Sequence, residues 1–405
     1  MEVIIFYAAA AGGILLLFLA RNLAGWLVRA PRVRSWAFRH LHTTLFRRRP
    51  THSPISRIEA MLHMIYWGGT MIYNFLGIQS AADASTRAGA LTTLNMIPLL
   101  FGGRISAAAD AINVTRRTLD KIHKTVGTMT AAQMGLHLAF EAATRRLRFD
   151  TVGCLSILVG TATICLGLMT VLGLPVTEGS TRHFFHIVHK LLGAALLTSL
   201  WWIAPPHSPN RVFIYIAVGL YGLAVSVCLW RTFARSFSVS TGWSTAKVRK
   251  EEGLFVLDVY LPHPMEVHAG QYLYIWSPPL SPLSMLHPHC FVIAWWEGTS
   301  ESTSSISLLV EERRGLANKL ESSMLVEKEL RLGIDGPYGM HRDSSRYETL
   351  MLFATDSGIA AQLSLLKEAV SQHQQQRTAN KRIVLVWQVE KEGMSYPHGL
   401  HFRKF

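Results

Sequence analysis

Two histidines, His123 and His137, stand fourteen positions apart in IHKTVGTMTAAQMGLHL, residues 122–138, where Lys124 is the only charged side chain. On a helix, fourteen residues rise roughly 21 Å and bring the chain back to within about 40° of its starting direction, so both imidazoles face one neighbour at two depths. A second segment, IVHKLLGAALL, carries His189 followed by Lys190 and Gly193, an echo of HKTVG at 123–127 with its Gly127. A glycine one turn past a histidine leaves room beside the helix for something flat and bulky, although it serves plain helix packing equally well. Two imidazoles at one depth make an axial pair for a haem iron, and His123 with His189 is such a pair if their helices run in the same direction. His137 lacks a matching partner. Residue 203, fourteen beyond His189, is isoleucine, Trp202 precedes it, and His207 follows Pro205 and Pro206. A double proline ends a helix.

The elements that would hold these residues are apolar and long. Of 405 residues, 49% are hydrophobic and only 16% charged, a balance that soluble domains rarely have and that points to a membrane protein. Seven windows are long enough to span a bilayer core: about 3–20, 60–78, 87–103, 119–142, 151–174, 184–204 and 211–233. By parity the fourth and sixth run the same way, which puts His123 and His189 on one side. The first window has the leader MEVIIF, with no positive start, and basic residues follow it at once, as in a stop-transfer helix rather than a cleaved signal. The net charge of +14 concentrates in the arginine-rich stretch from Arg29 to Arg57 and around Arg104 to Lys124. These are short loops, so the positive-inside rule places both in the cytoplasm with the N-terminus outside. TRRLRFD, 144–150, is the one basic loop on the wrong side. Arginines flanking apolar spans are topology signals, so no nucleic-acid partner is expected.

Cys154, Cys165 and Cys228 fall in apolar windows and Cys290 beyond them, so no disulfide framework is implied. The sequon at Asn113 falls on the cytoplasmic side and is silent. After residue 236 the texture becomes soluble α/β, with strands such as Leu254 to Leu261 and Gln271 to Trp276.

The run GQYLYIWSPPLSPLSMLHPHCFVIAWWEG, 270–298, together with the histidine segments and ALTTLNMIPLLFGGR before them, resembles the fungal ferric and cupric reductases of the NADPH oxidase superfamily. The resemblance covers nearly the whole chain from about residue 85. It implies three parts: a seven-span helical haem domain at 1–235, an FAD-binding β-barrel at 236–341 and a partial NADP-binding α/β domain at 342–405. In that family a His-Pro-Phe-Thr/Val motif lies against the flavin; His289, Phe291 and Val292 match it, with Cys290 where proline is usual. RRGLANKL, 313–320, is similar to the family's pyrophosphate turn, with Gly315 kept and Ala317 where threonine is usual. DGPYG, with Gly336, Pro337 and Gly339, resembles the linker before the nicotinamide domain. TLMLFATDSGIAAQLSLLKEAV reads as strand, turn and helix for a dinucleotide phosphate, keeping Gly358 but with Asp356 and Ser357 before it. The strand RIVLVWQVE follows, and fifteen residues remain where the family continues through several more strands.

The resemblance implies haem b on His123 and His189, with a second haem on His137 doubtful for want of a ligand, and FAD and NADPH as the other cofactors. It also implies transfer of electrons to an extracellular ferric or cupric chelate, or to oxygen, by an integral protein of the plasma membrane whose C-terminal domains are cytoplasmic. Two other readings stay open. One is a degenerate relative without complete electron transfer, acting as scaffold or regulator. The other is a histidine-lined metal or proton carrier.

Overall fold

The computed structural model describes residues 55–100, 102, 105–144, 154–172, 181–251, 254–277, 288–311, 329–341 and 347–388, with a few isolated positions besides. The window at 3–20, most of the arginine-rich stretch after it, and the turn 313–320 with Gly315 lie outside the described residues. The chain forms two compact units: Met1–Gly103 with Lys121–Tyr221, and Arg104–Asp120 with Gly222–Phe405.

The first unit is helical. Its elements are α1 (Arg57–Phe75), α2 (Ala81–Leu100), α4 (Arg116–Ala143, shared with the second unit), α5 (Cys154–Leu172), α6 (Thr181–Ile203) and the first part of α7 (Pro209–Ser236). Helix α1 starts at a capping box, in which Ser56 accepts from the backbone of Glu59 and the Glu59 carboxylate accepts from the backbone of Ser56. The core joins Met96, Met134, Cys165, Leu196, Leu200 and Ile214, so five helices contribute to one apolar centre. Polar groups inside it are paired, as burial demands: Asn74 Nδ2 donates to Gln133 Oε1 at 2.9 Å, both residues being fully buried.

Outside this centre the helices show large apolar side chains. Met64 and Ile65 on α1 are each 67% exposed, and Ile164, Leu191 and Trp230 are also exposed. Two described helices, Phe185–Ile203 and Pro209–Ser236, are long and apolar enough to cross a membrane, and Ile157–Val171 is a shorter apolar helix. The remaining described windows do form helices but fall below that composition. Helix α4 carries charge at both ends, through Arg116, Arg117, Asp120, Lys121, Lys124 and Glu141, while α2 includes Asp83, Arg87, Asn95 and Pro98.

The second unit is built on an antiparallel sheet of seven strands in the order β8-β3-β4-β7-β6-β5-β9. The strands are β3 (Thr245–Glu251), β4 (Leu254–Met265), β5 (Tyr272–Trp276), β6 (His289–Gly298), β7 (Thr303–Glu311), β8 (Glu329–Arg331) and β9 (Gly333–Tyr338); β1 (Phe237–Ser238) and β2 (Gly242–Trp243) form a small ribbon before them. The two outermost strands, β8 and β9, are separated in sequence by Leu332 alone, so the sheet must curl until its edges meet. The barrel interior is filled by Val248, Phe255, Leu257, Leu273, Ile293, Trp296 and Leu308. Gly333 is where the packing is tightest: a Cβ there would lie 2.1–2.4 Å from the Trp276 ring.

After the barrel come β10 (Thr349–Thr355), α8 (Ile359–Gln374) and β11 (Arg382–Gln388). Strands β10 and β11 pair in parallel from Thr349↔Arg382 to Thr355↔Gln388, as a strand–helix–strand unit requires. Helix α8 docks on the barrel: Ile359 and Leu363 join a cluster with Trp295 and Leu309, and Ser364 Oγ accepts the Gly270 N–H at 3.1 Å. Helix α3 (Ile105–Ala111) also belongs to this unit, where Asp110 accepts the Gly339 N–H at 3.1 Å.

Candidate functional site

His123 and His189 come together in the first unit. Each lies in the N-terminal third of its helix, α4 or α6. Their ring centroids are 6.1 Å apart and the rings are inclined by 66°. An iron bonded to two imidazole nitrogens at ~2 Å each would separate the centroids by roughly 6 Å, so the residues fit a bis-imidazole haem. His189 Nδ1 is buried with no hydrogen-bond partner among the described residues, and Phe185 lies beside the His189 ring at 5.3 Å.

The glycines that crowd the imidazoles are not those on the same helices. A Cβ on Gly127 or Gly193 would meet only Leu99 or Met169, each at 3.8 Å, so these positions are ordinary packing and not an open slot. Gly102 is different. A Cβ there would lie 2.4 Å from His123 Cε1 and 2.5 Å from its Nδ1. On α2 a Cβ at Gly89 would come within 3.2 Å of His137 Nδ1. Sequence reasoning missed these two glycines. The available signal was their spacing of thirteen, close to the fourteen that separates the histidines they face.

His137 is oriented by its surroundings. Its Nδ1 is 2.9 Å from the Ser85 carbonyl oxygen and 2.9 Å from Ser85 Oγ, whose hydroxyl donates to Glu141 Oε1 at 2.5 Å. A carbonyl only accepts, so the ring carries its proton on Nδ1 and leaves Nε2 bare, the state in which a histidine ligates a metal. Position 203 closes α6 with isoleucine, and His207 follows in the turn beyond, exposed and at φ 63°. His207 is therefore off the α6 helix, as the two prolines predict.

In the second unit the motif residues lie on β6 but not on one face. Pairing sets His289 and Phe291 opposite Ile275 and Leu273, which point into the core, and sets Cys290 and Val292 opposite Tyr274 and Tyr272. The pleat therefore separates Val292 from the other two expected flavin contacts. The His289 and Phe291 rings lie 6.5 Å apart at 37° and remain half-buried.

The opposite face holds a cluster of tyrosines. Tyr274 and Tyr272 hydroxyls meet Ser106 Oγ at 2.9 and 3.1 Å, and Tyr338 donates to Asp335. Burial pushes Tyr274 up to about 12 and raises Tyr272 and Tyr338 as well, so all three stay neutral donors at physiological pH. Cys290 is open to solvent on one side and crowded on the other. Burial there raises its thiol pKa despite the opposing pull of Arg116 and a bond with Tyr274.

Gly336, Pro337 and Gly339 belong to the barrel edge. Gly336 (φ 133°) lets β9 pass Leu273, whose Cβ would be 3.0 Å from an added methyl, and its carbonyl accepts from Arg235. Gly358 stands apart from them at the start of α8. Ahead of it the chain makes a 3-10 turn, Asp356–Gly358, with Asp356 at φ 43° and its carbonyl accepting from Trp387 Nε1 at 3.0 Å. No side chain caps α8, so its first N–H groups face outward, where a phosphate would be favoured and the Asp356 carboxylate would oppose it.

Residues 241–342 match a family described as an FAD-binding domain, a stretch that contains all seven barrel strands and the Gly336–Gly339 turn. The chain thus carries an FAD-binding domain. No curated protein is similar enough to count as a match. Among solved structures the chain is similar to a phthalate dioxygenase reductase, with 14% identity over 37% of this chain and 44% of that one at a TM-score of 0.29. It is also similar to a cytochrome P450 reductase from Amycolatopsis, with 17% identity over 38% and 46% at 0.31. A third is a ferredoxin-NADP+ reductase from Plasmodium falciparum solved with 2'P-AMP, with 13% identity over 39% and 66% at 0.28. The chain spans under half the length of the first two.

Proposed function

We propose that this chain is a membrane-embedded oxidoreductase that passes electrons from NADPH through FAD and haem b to an extracellular ferric or cupric chelate, with oxygen as the other candidate acceptor. The observation that carries the reading is the pair of imidazoles at 6.1 Å in a chain that also holds an FAD-binding domain. The lipid partner is supported by the exposed apolar side chains on α1, α5, α6 and α7. The basic stretches flanking them support a plasma-membrane protein with cytoplasmic C-terminal domains.

When bound, FAD converts hydride transfer into single-electron steps and haem carries single electrons. The protein supplies position and polarity. His123 and His189 hold the iron from two helices, and Gly102 leaves His123 its space. His289 and Phe291 present half-buried rings to the flavin, and the tyrosine face stays uncharged, so no buried anion competes with the cofactor's negative groups. The N-terminus of α8 offers free N–H groups for a nucleotide phosphate.

The test is the haem content of the purified, haem-replete protein. His189→Ala should abolish the low-spin signal, whereas His207→Ala should leave it. Retention of full low-spin haem by His189→Ala would overturn the assignment. A second reading, a relative that binds flavin without complete electron transfer, draws support from Ile203 at the outer ligand position and from Asp356 at the phosphate turn. It predicts bound FAD with no NADPH-driven haem reduction.

A further inference from the structure

Three side chains that neither haem nor flavin uses converge at one point of the second unit. His268 lies in the loop between β4 and β5, His341 follows β9, and Glu368 sits in the third turn of α8. Their ligand atoms all lie within 4.8 Å of one another. The Glu368 side chain is only 7% exposed; its Oε1 is 3.0 Å from His341 Nε2 and 3.7 Å from His268 Nδ1, and its Oε2 accepts the Ala269 N–H at 3.1 Å. The two imidazole rings lie 4.5 Å apart at 31°.

The hydrogen bonds decide what this cluster is for. His268 Nε2 is 2.7 Å from Glu266 Oε1, and a carboxylate only accepts, so Nε2 carries the proton. In the neutral ring Nδ1 is then a bare lone pair. It is buried, has no hydrogen-bond partner among the described residues, and faces a carboxylate oxygen, which is another acceptor. Protonating it would not close the gap, because 3.7 Å is too long for a hydrogen bond. A cation between the two does.

We infer that His268 Nδ1, His341 Nε2 and a Glu368 carboxylate oxygen form a site for a divalent transition ion of the zinc class, with water as fourth ligand and Glu266 orienting His268. Tetrahedral zinc with arms of ~2.0–2.1 Å holds its donors ~3.3 Å apart, and the 3.0 and 3.7 Å separations straddle that value. Two nitrogens and one oxygen suit zinc, nickel or copper and not calcium or magnesium, which take oxygens. An outer carboxylate on the far nitrogen is the usual support for a ligating histidine. His341, 36% exposed, gives the ion a way in and leaves a face for water. Two ligands come from the barrel and one from α8, so the ion would pin the helix that follows the flavin domain onto it.

The test strips the full-length protein with a chelator and titrates it with Zn²⁺ against a chromogenic competitor. Wild type should bind one equivalent that is weakened at least tenfold in His268→Gln and in His341→Gln, with Co²⁺ giving a visible spectrum that each variant loses. Glu266→Gln should weaken binding by about tenfold. Glu368→Gln keeps an acceptor for the Ala269 N–H while removing the charge, and should lose the equivalent without losing flavin. If His268→Gln does not fold, the partly exposed His341→Gln decides. Stripped wild type that binds no Zn²⁺, or histidine variants that bind it as wild type does, would overturn the site.

Discussion

A single methyl group tests the imidazole pair without touching either histidine. In Gly102→Ala the new Cβ would stand 2.4 Å from His123 Cε1 and 2.5 Å from Nδ1, where ordinary contacts begin at 3.4 Å. The ring must therefore retreat by roughly 1 Å, since such overlap lies far up the repulsive wall. Crowding of this kind costs ~1–3 kcal/mol when the surroundings absorb it, or about 5- to 150-fold in an equilibrium. An iron–nitrogen bond tolerates no such lengthening, so the loss should fall on haem retention. Low-spin haem per bound FAD is the quantity to measure, because the FAD denominator reports that the barrel is intact. Gly127→Ala is the control: it adds the same methyl on α4 itself, 3.8 Å from Leu99, and should change the ratio by less than about twofold. Full haem content in Gly102→Ala, or equal loss in both variants, would refute the argument that Gly102 makes room for a ligating His123.

Three other outcomes are expected. Gly333→Ala forces a methyl into the Trp276 ring at 2.1–2.4 Å and should destabilise the barrel by ~1–3 kcal/mol or more, seen as a lower urea midpoint for release of FAD; an unchanged midpoint would contradict the packing described. The Cys290 thiol has a raised pKa, so its neutral form persists to higher pH than in a free cysteine at about 8.5. The rate of its alkylation by iodoacetamide should accordingly rise with a midpoint above that value, and a midpoint below it would mark an activated thiolate instead. Asp356→Asn keeps a residue that tolerates positive φ and removes a negative charge at the start of α8, so KM for NADPH should fall about two- to fivefold; no change would place the phosphate elsewhere.

Local patterns were the easiest to read from the sequence. The window 119–142 becomes α4 at Arg116–Ala143, the strand expected from Leu254 becomes β4, and the strand–turn–helix after Thr349 becomes β10 and α8. Helical phase and span parity sufficed to pair His123 with His189, because both arguments depend only on position along one chain. What escaped were contacts set by packing between distant segments. Gly89 and Gly102 matter through a neighbouring helix, and His268, His341 and Glu368 meet only after the barrel and α8 have docked. The β6 motif was read as one contact surface, but strand alternation divides it, an effect visible only once the β5 register is known.

The paired glycines also act as a gauge. Gly89 and Gly102 touch the two histidines of α4 at both ends of a stretch about 20 Å long, so the two segments fit in one alignment only. Adding or deleting one residue between positions 89 and 102 would swing one glycine away by about 100° while the other stayed put. Insertions should therefore be harmful within either segment and far better tolerated in the connection between α2 and α4.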